Sequence, residues 1–170
     1  MDQHAEFSAL YENHAVDVFR FALYLSGNRS DAEDITAETF VRAWTSPEPI
    51  KMATVRGYLL TIARNLYRKD LRRHARQTTL SDDVVDPGPR VPDRLDQQAE
   101  LGAVIARLRL LPEIDRAALL MRALHGLPYQ EIAVALDISV SAARVKVHRA
   151  RATLMKLRMP PRESLCEDDR

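Results

Sequence analysis

Apolar side chains recur at helical spacing along most of the chain. Phe7, Leu10, Tyr11, Val18, Phe19, Ala22 and Leu25 form a first stripe, which predicts a long helix that Gly27-Asn28 ends. Ser30-Asp31-Ala32-Glu33 has the form of a capping box, so a second helix is expected to open there. Ala37, Phe40, Val41 and Trp44 share one face of it. At about 100° per residue, Asp31, Asp34, Ile35, Glu38 and Arg42 gather on the other. Pro47 and Pro49 stop that helix, and residues 50–55 read as a loop. A third helix is expected over residues 56–76. Leu59, Leu60, Ile62, Ala63, Leu66 and Leu71 make its apolar arc, and Tyr58, Thr61, Arg64, Asn65, Arg68 and Arg72 lie opposite.

Residues 77–94 break the pattern: QTTLSDDVVDPGPRVPDR holds three prolines, one glycine and four aspartates. Such a stretch reads as an extended, flexible linker. Beyond it four helices are expected, over residues 96–110, from Pro112 to Gly126, over 128–136 and over 140–158. Pro112 and Pro128 suit a first helical turn. The last two helices have the form of a helix-turn-helix. Ile132, Ala133, Leu136 and Ile138 would pack inward, and Asp137 stands at the turn, where Asp tolerates a left-handed backbone. On the final helix Ala143, Val147, Ala150, Leu154 and Leu157 make the inner stripe. Ser141, Arg144, Val145, His148 and Arg149 make the outer arc, with Lys146 and Arg151 flanking it.

The fold class that follows is all-α: two small helical domains joined by a flexible linker, the C-terminal one a helix-turn-helix. The divisions are residues 1–76, a linker at 77–95, residues 96–160 and a tail at 161–170. Abundant Ala, Leu and Arg agree with helix. The chain is 46% hydrophobic and 29% charged, as expected of a globular protein. With one cysteine, Cys166, no disulfide or paired-cysteine metal site can form within the chain. His4, His14, His74 and His125 lack metal-ligand spacing and read as surface or helix-end residues. No phosphate-binding glycine loop, Ser-His-Asp set or membrane-spanning apolar run is present, and no signal peptide. A cytoplasmic protein that is not an enzyme, with no cofactor, metal or catalytic residue, is the expectation.

Charge changes the picture most. The formal net charge of +1 conceals segregated blocks. Residues 1–50 carry three basic and nine acidic side chains, whereas residues 51–76 carry eight basic ones and only Asp70. From Ser139 to Arg158 no acidic residue occurs. One acidic surface and two separate basic ones suggest one partner plus a polyanion bound at two places. The outer arc of the final helix suits a major groove. Arg144 and Arg149 can each donate twice to a guanine edge, Val145 can touch a thymine methyl, and His148 can bond a base or a phosphate.

SDAEDITAETFVRAW at residues 30–44, followed by VRGYLLTIARNLYRKDLRR at 55–73, resembles the conserved second region of extracytoplasmic-function sigma factors of the sigma-70 family. Residues 108–151 resemble their fourth region, so the resemblance covers roughly residues 7–158. It implies an RNA polymerase sigma factor that binds core polymerase, recognises −10 and −35 promoter elements and promotes DNA melting. The implied partners are promoter DNA and core RNA polymerase, through the clamp helices of the largest subunit and the flap of the second-largest. An anti-sigma factor is a further implied partner. Asp31, Asp34, Ile35, Glu38 and Arg42 would bind the polymerase. Tyr58, Thr61, Arg64, Asn65, Arg68, Arg72 and Arg73 would bind the −10 element as single strand, with Asn65 in the pocket for a flipped base. Ser141, Arg144, Val145, Lys146, His148, Arg149 and Arg151 would read the −35 duplex. The alternative is a stand-alone helix-turn-helix regulator, which would need a dimer and a palindromic site.

Overall fold

A computed structural model describes residues 3–46, 53–78 and 97–158. Seven helices follow one another among them: α1 Gln3–Ser26, α2 Arg29–Thr45, α3 Val55–Thr78, α4 Gln97–Arg109, α5 Glu113–Ala123, α6 Tyr129–Leu136 and α7 Val140–Arg158. No strand occurs among the described residues. The expected linker, apart from its first residues, and the tail with Cys166 lie outside them, as do Pro47 and Pro49.

α1 stops at Gly27, whose φ of +71° costs a glycine nothing. The next residue then starts α2: Asn28 is extended, and its side chain accepts the backbone N–H of Asp31 at 3.1 Å. The Ser30 capping box is therefore not the cap. Ser30 already lies in the first turn, and Glu33 accepts instead from Arg29 Nε at 3.0 Å.

α2 presents a different face to the core than its largest apolar residues suggested. Ala32, Ile35, Thr36, Thr39 and Phe40 are buried, while Val41 is 53% exposed and Ala37 and Trp44 are exposed. Two threonines can occupy that face because each hydroxyl donates to a backbone carbonyl one turn back. Thr36 donates to Ala32 O and Thr39 to Ile35 O, both at 2.6 Å. Trp44 packs edge-on against Phe7, with ring centroids 5.2 Å apart.

In the second half Pro112 and Pro128 immediately precede α5 and α6 at the N-cap position. α6 ends at Asp137, the only described non-glycine residue with positive φ, at 54°. Asp137 N–H donates to Ala133 O and Val134 O, and Ile138 N–H to Ala133 O at 3.0 Å. These bonds satisfy the last carbonyls and turn the chain sharply. Ser139 Oγ accepts Ala142 N–H at 3.1 Å and opens α7. Ala143, Val147 and Ala150 are fully enclosed against α5 and α6 as the stripe requires. Leu157 and, on α3, Leu71 are exposed instead, each toward the C-terminal end of its helix.

The two halves are packed together. α1 contacts α4 and α5, and α3 contacts α6, so the buried apolar residues of both halves form one cluster. Phe21, fully enclosed on α1, stacks edge-on against His125 of the C-terminal half, with centroids 6.0 Å apart.

Candidate nucleic-acid interface

On α2 the exposed arc contains Asp31, Asp34, Glu38 and Arg42. Arg42 Nε donates to Glu38 Oε1 at 2.8 Å, one turn apart. Ile35 does not belong to this surface: it is 2% exposed and part of the core. The true helix phase turns it toward α1 and α3 and leaves its acidic neighbours outside. An open groove of about 390 Å³ separates α2 from α3, with Asp34, Glu38 and Arg42 on one wall and Lys69, Asp70 and Arg73 on the other.

The outer face of α3 is divided. Asn65, Arg72 and Arg73 are exposed, and Tyr58, Thr61 and Arg68 are half-buried. Thr61 Oγ1 donates to Gly57 O at 2.7 Å, and Arg73 pairs with Asp70 at 3.3 Å. Arg64 departs from the expected open surface. It is 4% exposed, and its Nε and Nη2 donate to the two carboxylate oxygens of Glu113 at 2.9 and 3.1 Å. α6 packs on the start of α3, where Glu131 approaches Gly57, and Glu113 of α5 covers Arg64 two turns further on.

The arc of α7 is open. Ser141, Arg144, Val145, His148, Arg149 and Arg151 are exposed, and Lys146 is half-buried. Beneath them lies Asp115 of α5, 1% exposed, whose carboxylate meets Lys146 Nζ at 3.4 Å and Arg149 Nη1 at 3.9 Å. The buried anion thus holds the end of Lys146 and one guanidinium nitrogen of Arg149 from behind, while the Arg149 side chain stays 60% exposed. Tyr129 of α6 carries the Arg122 guanidinium 4.7 Å from its ring centroid and that of Arg144 at 5.6 Å. Among the described residues no group of three or more His, Cys, Asp or Glu is placed to hold a metal ion. No helix there is long and apolar enough to cross a membrane.

Residues 10–77 match the family described as Sigma-70 region 2, and residues 101–154 match Sigma-70, region 4. The chain is 32% identical over 158 residues to the ECF RNA polymerase sigma factor SigL of Mycobacterium tuberculosis (strain ATCC 25618 / H37Rv), an alignment covering 88% of this chain and 89% of that one. The chain belongs to the ECF sigma factors. It is also 36% identical over 153 residues to the ECF RNA polymerase sigma factor SigE of Mycolicibacterium smegmatis, covering 85% of this chain, but spans only 58% of that relative's length. The solved sigma factor RpoE of Bartonella quintana, in complex with the anti-sigma factor NepR, superposes with a TM-score of 0.78 over 89% of this chain and 96% of its own. At 24% identity that likeness concerns the fold.

Within this ECF sigma factor the periodicity missed a second set of charges, all at or near the contact between the halves. Arg116 Nη2 donates to Tyr67 Oη at 3.1 Å, and its guanidinium carbon stands 5.8 Å from the Tyr67 ring centroid. Burial pushes the Tyr67 hydroxyl above its usual 10, against the pull of Arg116. Glu131, buried on α6, accepts from Thr54 Oγ1 at 2.8 Å. His125 is not a surface residue but 7% exposed, and burial lowers its imidazole from the usual 6.5, with Asp17 pulling the other way. It lines a cavity of about 290 Å³ between the halves together with His14, Arg56 and Glu131. Acidic residues on an amphipathic helix normally read as solvated, so only the docking of the halves reveals these.

Proposed function

We propose that this ECF sigma factor is the removable promoter-specificity subunit of bacterial RNA polymerase, acting by binding and without a reaction of its own. Residues 1–76 would serve as sigma region 2 and residues 96–160 as region 4, joined by the acidic linker. Asp31, Asp34, Glu38 and Arg42 would meet the clamp helices of the largest polymerase subunit. On α3, Asn65 would line the pocket for an unstacked −10 base, with Tyr58 and Thr61 beside it and Arg64, Arg68, Arg72 and Arg73 on the phosphates. Trapping an unstacked base offsets part of the cost of opening the duplex. On α7, Arg144 to Arg149 would read the −35 duplex, with Ser141 and Arg151 at its edges, while region 4 rests on the flap of the second-largest subunit.

The observation that carries this reading is the pairing of the two family matches, in order, with an exposed acidic arc on α2 and basic arcs on α3 and α7. A cytoplasmic location follows from the polymerase being there, and an anti-sigma factor would be a natural regulator. A stand-alone regulator is disfavoured because region 2 would then have no task. The test is to mix purified protein with core RNA polymerase, follow co-elution on a sizing column, and map transcript starts on genomic templates. Co-elution and new discrete start sites are expected. Absence of both overturns the reading.

A further inference from the structure

The cationic face of α7 has a carboxylate directly behind it. Asp115 lies in the first turn of α5, where the positive end of the helix dipole favours an anion, and it is 1% exposed. Ala143, Val147 and Ala150 seat α7 on its neighbours, so contact between small side chains fixes how near α5 and α7 come. Lys146 and Arg149, three residues apart, share the flank of α7 that meets Asp115. Their situations there differ. Lys146 Nζ donates to Asp115 Oδ1 at 3.4 Å and its side chain is 22% exposed, so its charge is already paired inside the protein. Arg149 Nη1 stands 3.9 Å from Asp115 Oδ2, beyond hydrogen-bond length, and its side chain is 60% exposed. Oδ2 is enclosed and accepts no hydrogen bond among the described residues. An enclosed carboxylate oxygen without a donor attracts the guanidinium beside it.

We propose that Asp115 is a positioning residue for −35 recognition, which aims Arg149 at a base and keeps Lys146 off the phosphates. The inference rests on the reading of α7 as the −35 face, and it gives two residues of that face unlike roles. A guanidinium is a rigid planar fork of N–H donors. Drawing Nη1 back toward Asp115 sets the plane of the fork and leaves Nε and Nη2 as the pair for a guanine edge. An arginine held in advance loses less rotamer freedom when DNA arrives. The gain goes to one base position, not to phosphates anywhere along the groove. Lys146 could reach a phosphate only by leaving a buried carboxylate unpaired, which is costly. The sequence-independent part of binding therefore lacks that charge. Asp115 raises discrimination from one side chain and lowers non-specific attraction through the other.

Asp115→Asn keeps the shape of the side chain and removes its charge. Asp115→Asn with Lys146→Met removes both members of the buried pair, so no charge is left unpaired and the wild-type net charge is kept. Glu100→Gln, on the exposed side of α4, makes the same charge change as Asp115→Asn at a distance from α7 in sequence. Each full-length protein, with Arg149→Ala beside them, is bound to a duplex library randomised over its central base pairs, and the bound fraction is sequenced. Anisotropy is then measured over a range of salt on the duplex that wild type enriches most and on a scrambled duplex of equal composition. With helical circular dichroism unchanged, Asp115→Asn is expected to lower the preference for the enriched duplex about tenfold, through weaker discrimination at one guanine. It should also steepen the salt dependence on the scrambled duplex by about one in the logarithmic slope, as the released Lys146 reaches a phosphate. The double variant should lose the same preference and keep the wild-type slope, and Glu100→Gln should change neither. A purely structural role for Asp115 would not steepen the slope. Wild-type preference in both Asp115 variants overturns the proposal. So does a wild-type slope in Asp115→Asn, or equal steepening by Glu100→Gln. If Arg149→Ala keeps the wild-type preference, the reading of α7 fails and the proposal with it. If Arg149→Ala loses the preference and the Asp115 variants keep it, that reading stands and the role of Asp115 alone falls.

Discussion

Ile35 and Glu38 lie one turn apart on α2, the first closed into the core and the second in solvent. Their substitutions should therefore separate stability from binding. Ile35→Ala is expected to cost about 2–5 kcal/mol, because it leaves a cavity between α1 and α3, and to lower the urea midpoint. Glu38→Lys should hold stability within about 0.5 kcal/mol, since it loses only an exposed pair with Arg42, yet abolish co-elution with core polymerase. A large stability loss from Glu38→Lys would contradict its exposed placement. His125 gives a pH dependence of definite sign. Asp17 attracts a proton to it, but Asp17 is also paired with Arg56 at 3.2 Å, and burial against Phe21 outweighs the attraction. Arg20 and Arg56 push the same way as burial. The imidazole is thus harder to protonate in the folded chain than in the unfolded one. Its full contribution to stability is present above the unfolded value of 6.5 and is lost as the pH falls below that, levelling off beneath the depressed folded value. Urea titrations at pH 7.5, 6.5 and 5.5 should show wild type weakening across the lower interval and His125→Phe weakening less. Parallel curves for the two proteins would exclude His125 as the source.

At the scale of elements, the helix-turn-helix was the most legible part. Its stop at Asp137, its inward residues and its basic outer arc all follow from local chemistry: a side chain tolerant of αL, a stripe of small and aliphatic residues, and twenty positions without an acid. The turn makes its own prediction. Asp137→Gly should be neutral or slightly stabilising, whereas Asp137→Val should cost about 1–2 kcal/mol, the penalty for a Cβ in the left-handed region. Thermal melts of the two variants check this, and equal melting points would mean the turn is not held at φ 54°. α2 was less legible for a specific reason. Reading burial from the largest apolar residues places Val41 and Trp44 inside, but the core takes Thr36 and Thr39, whose hydroxyls are satisfied within the helix and so cost little to enclose. The cap was misplaced in the same way. Ser30 fits a sequence pattern, but Asn28 sits where Gly27 has already turned the chain. On α3 the apolar arc holds from Leu59 to Leu66 but not at Leu71, which is exposed, and the covering of Arg64 depends on a helix that begins 49 residues later.

For the whole molecule, the docking of the halves is what periodicity could not supply. Phe21, which the stripe of α1 left out, is fully enclosed in a core that both halves share, with His125 of the other half against its ring. The docking is also asymmetric, and that asymmetry has a measurable result. It covers Arg64 in the third turn of α3 but leaves Arg144, Val145, His148 and Arg149 of α7 open. The free protein should therefore meet duplex DNA through α7 first, with little use of α3. Anisotropy of a labelled 25-base-pair duplex, taken at several salt concentrations, can apportion the contact. Each arginine that neutralises a phosphate or grips a base adds to the steepness with which affinity falls as salt rises, by about one in the logarithmic slope. Arg149→Ala should weaken binding by about 1–3 kcal/mol on a recognised site and flatten that slope. Arg68→Ala, half-buried one turn beyond the covered Arg64, should change the free protein's duplex binding far less and show its effect in the holoenzyme. If Arg68→Ala were the more damaging of the two in the free protein, α3 would be the open face, and the order in which this sigma factor engages its promoter would have to be reversed.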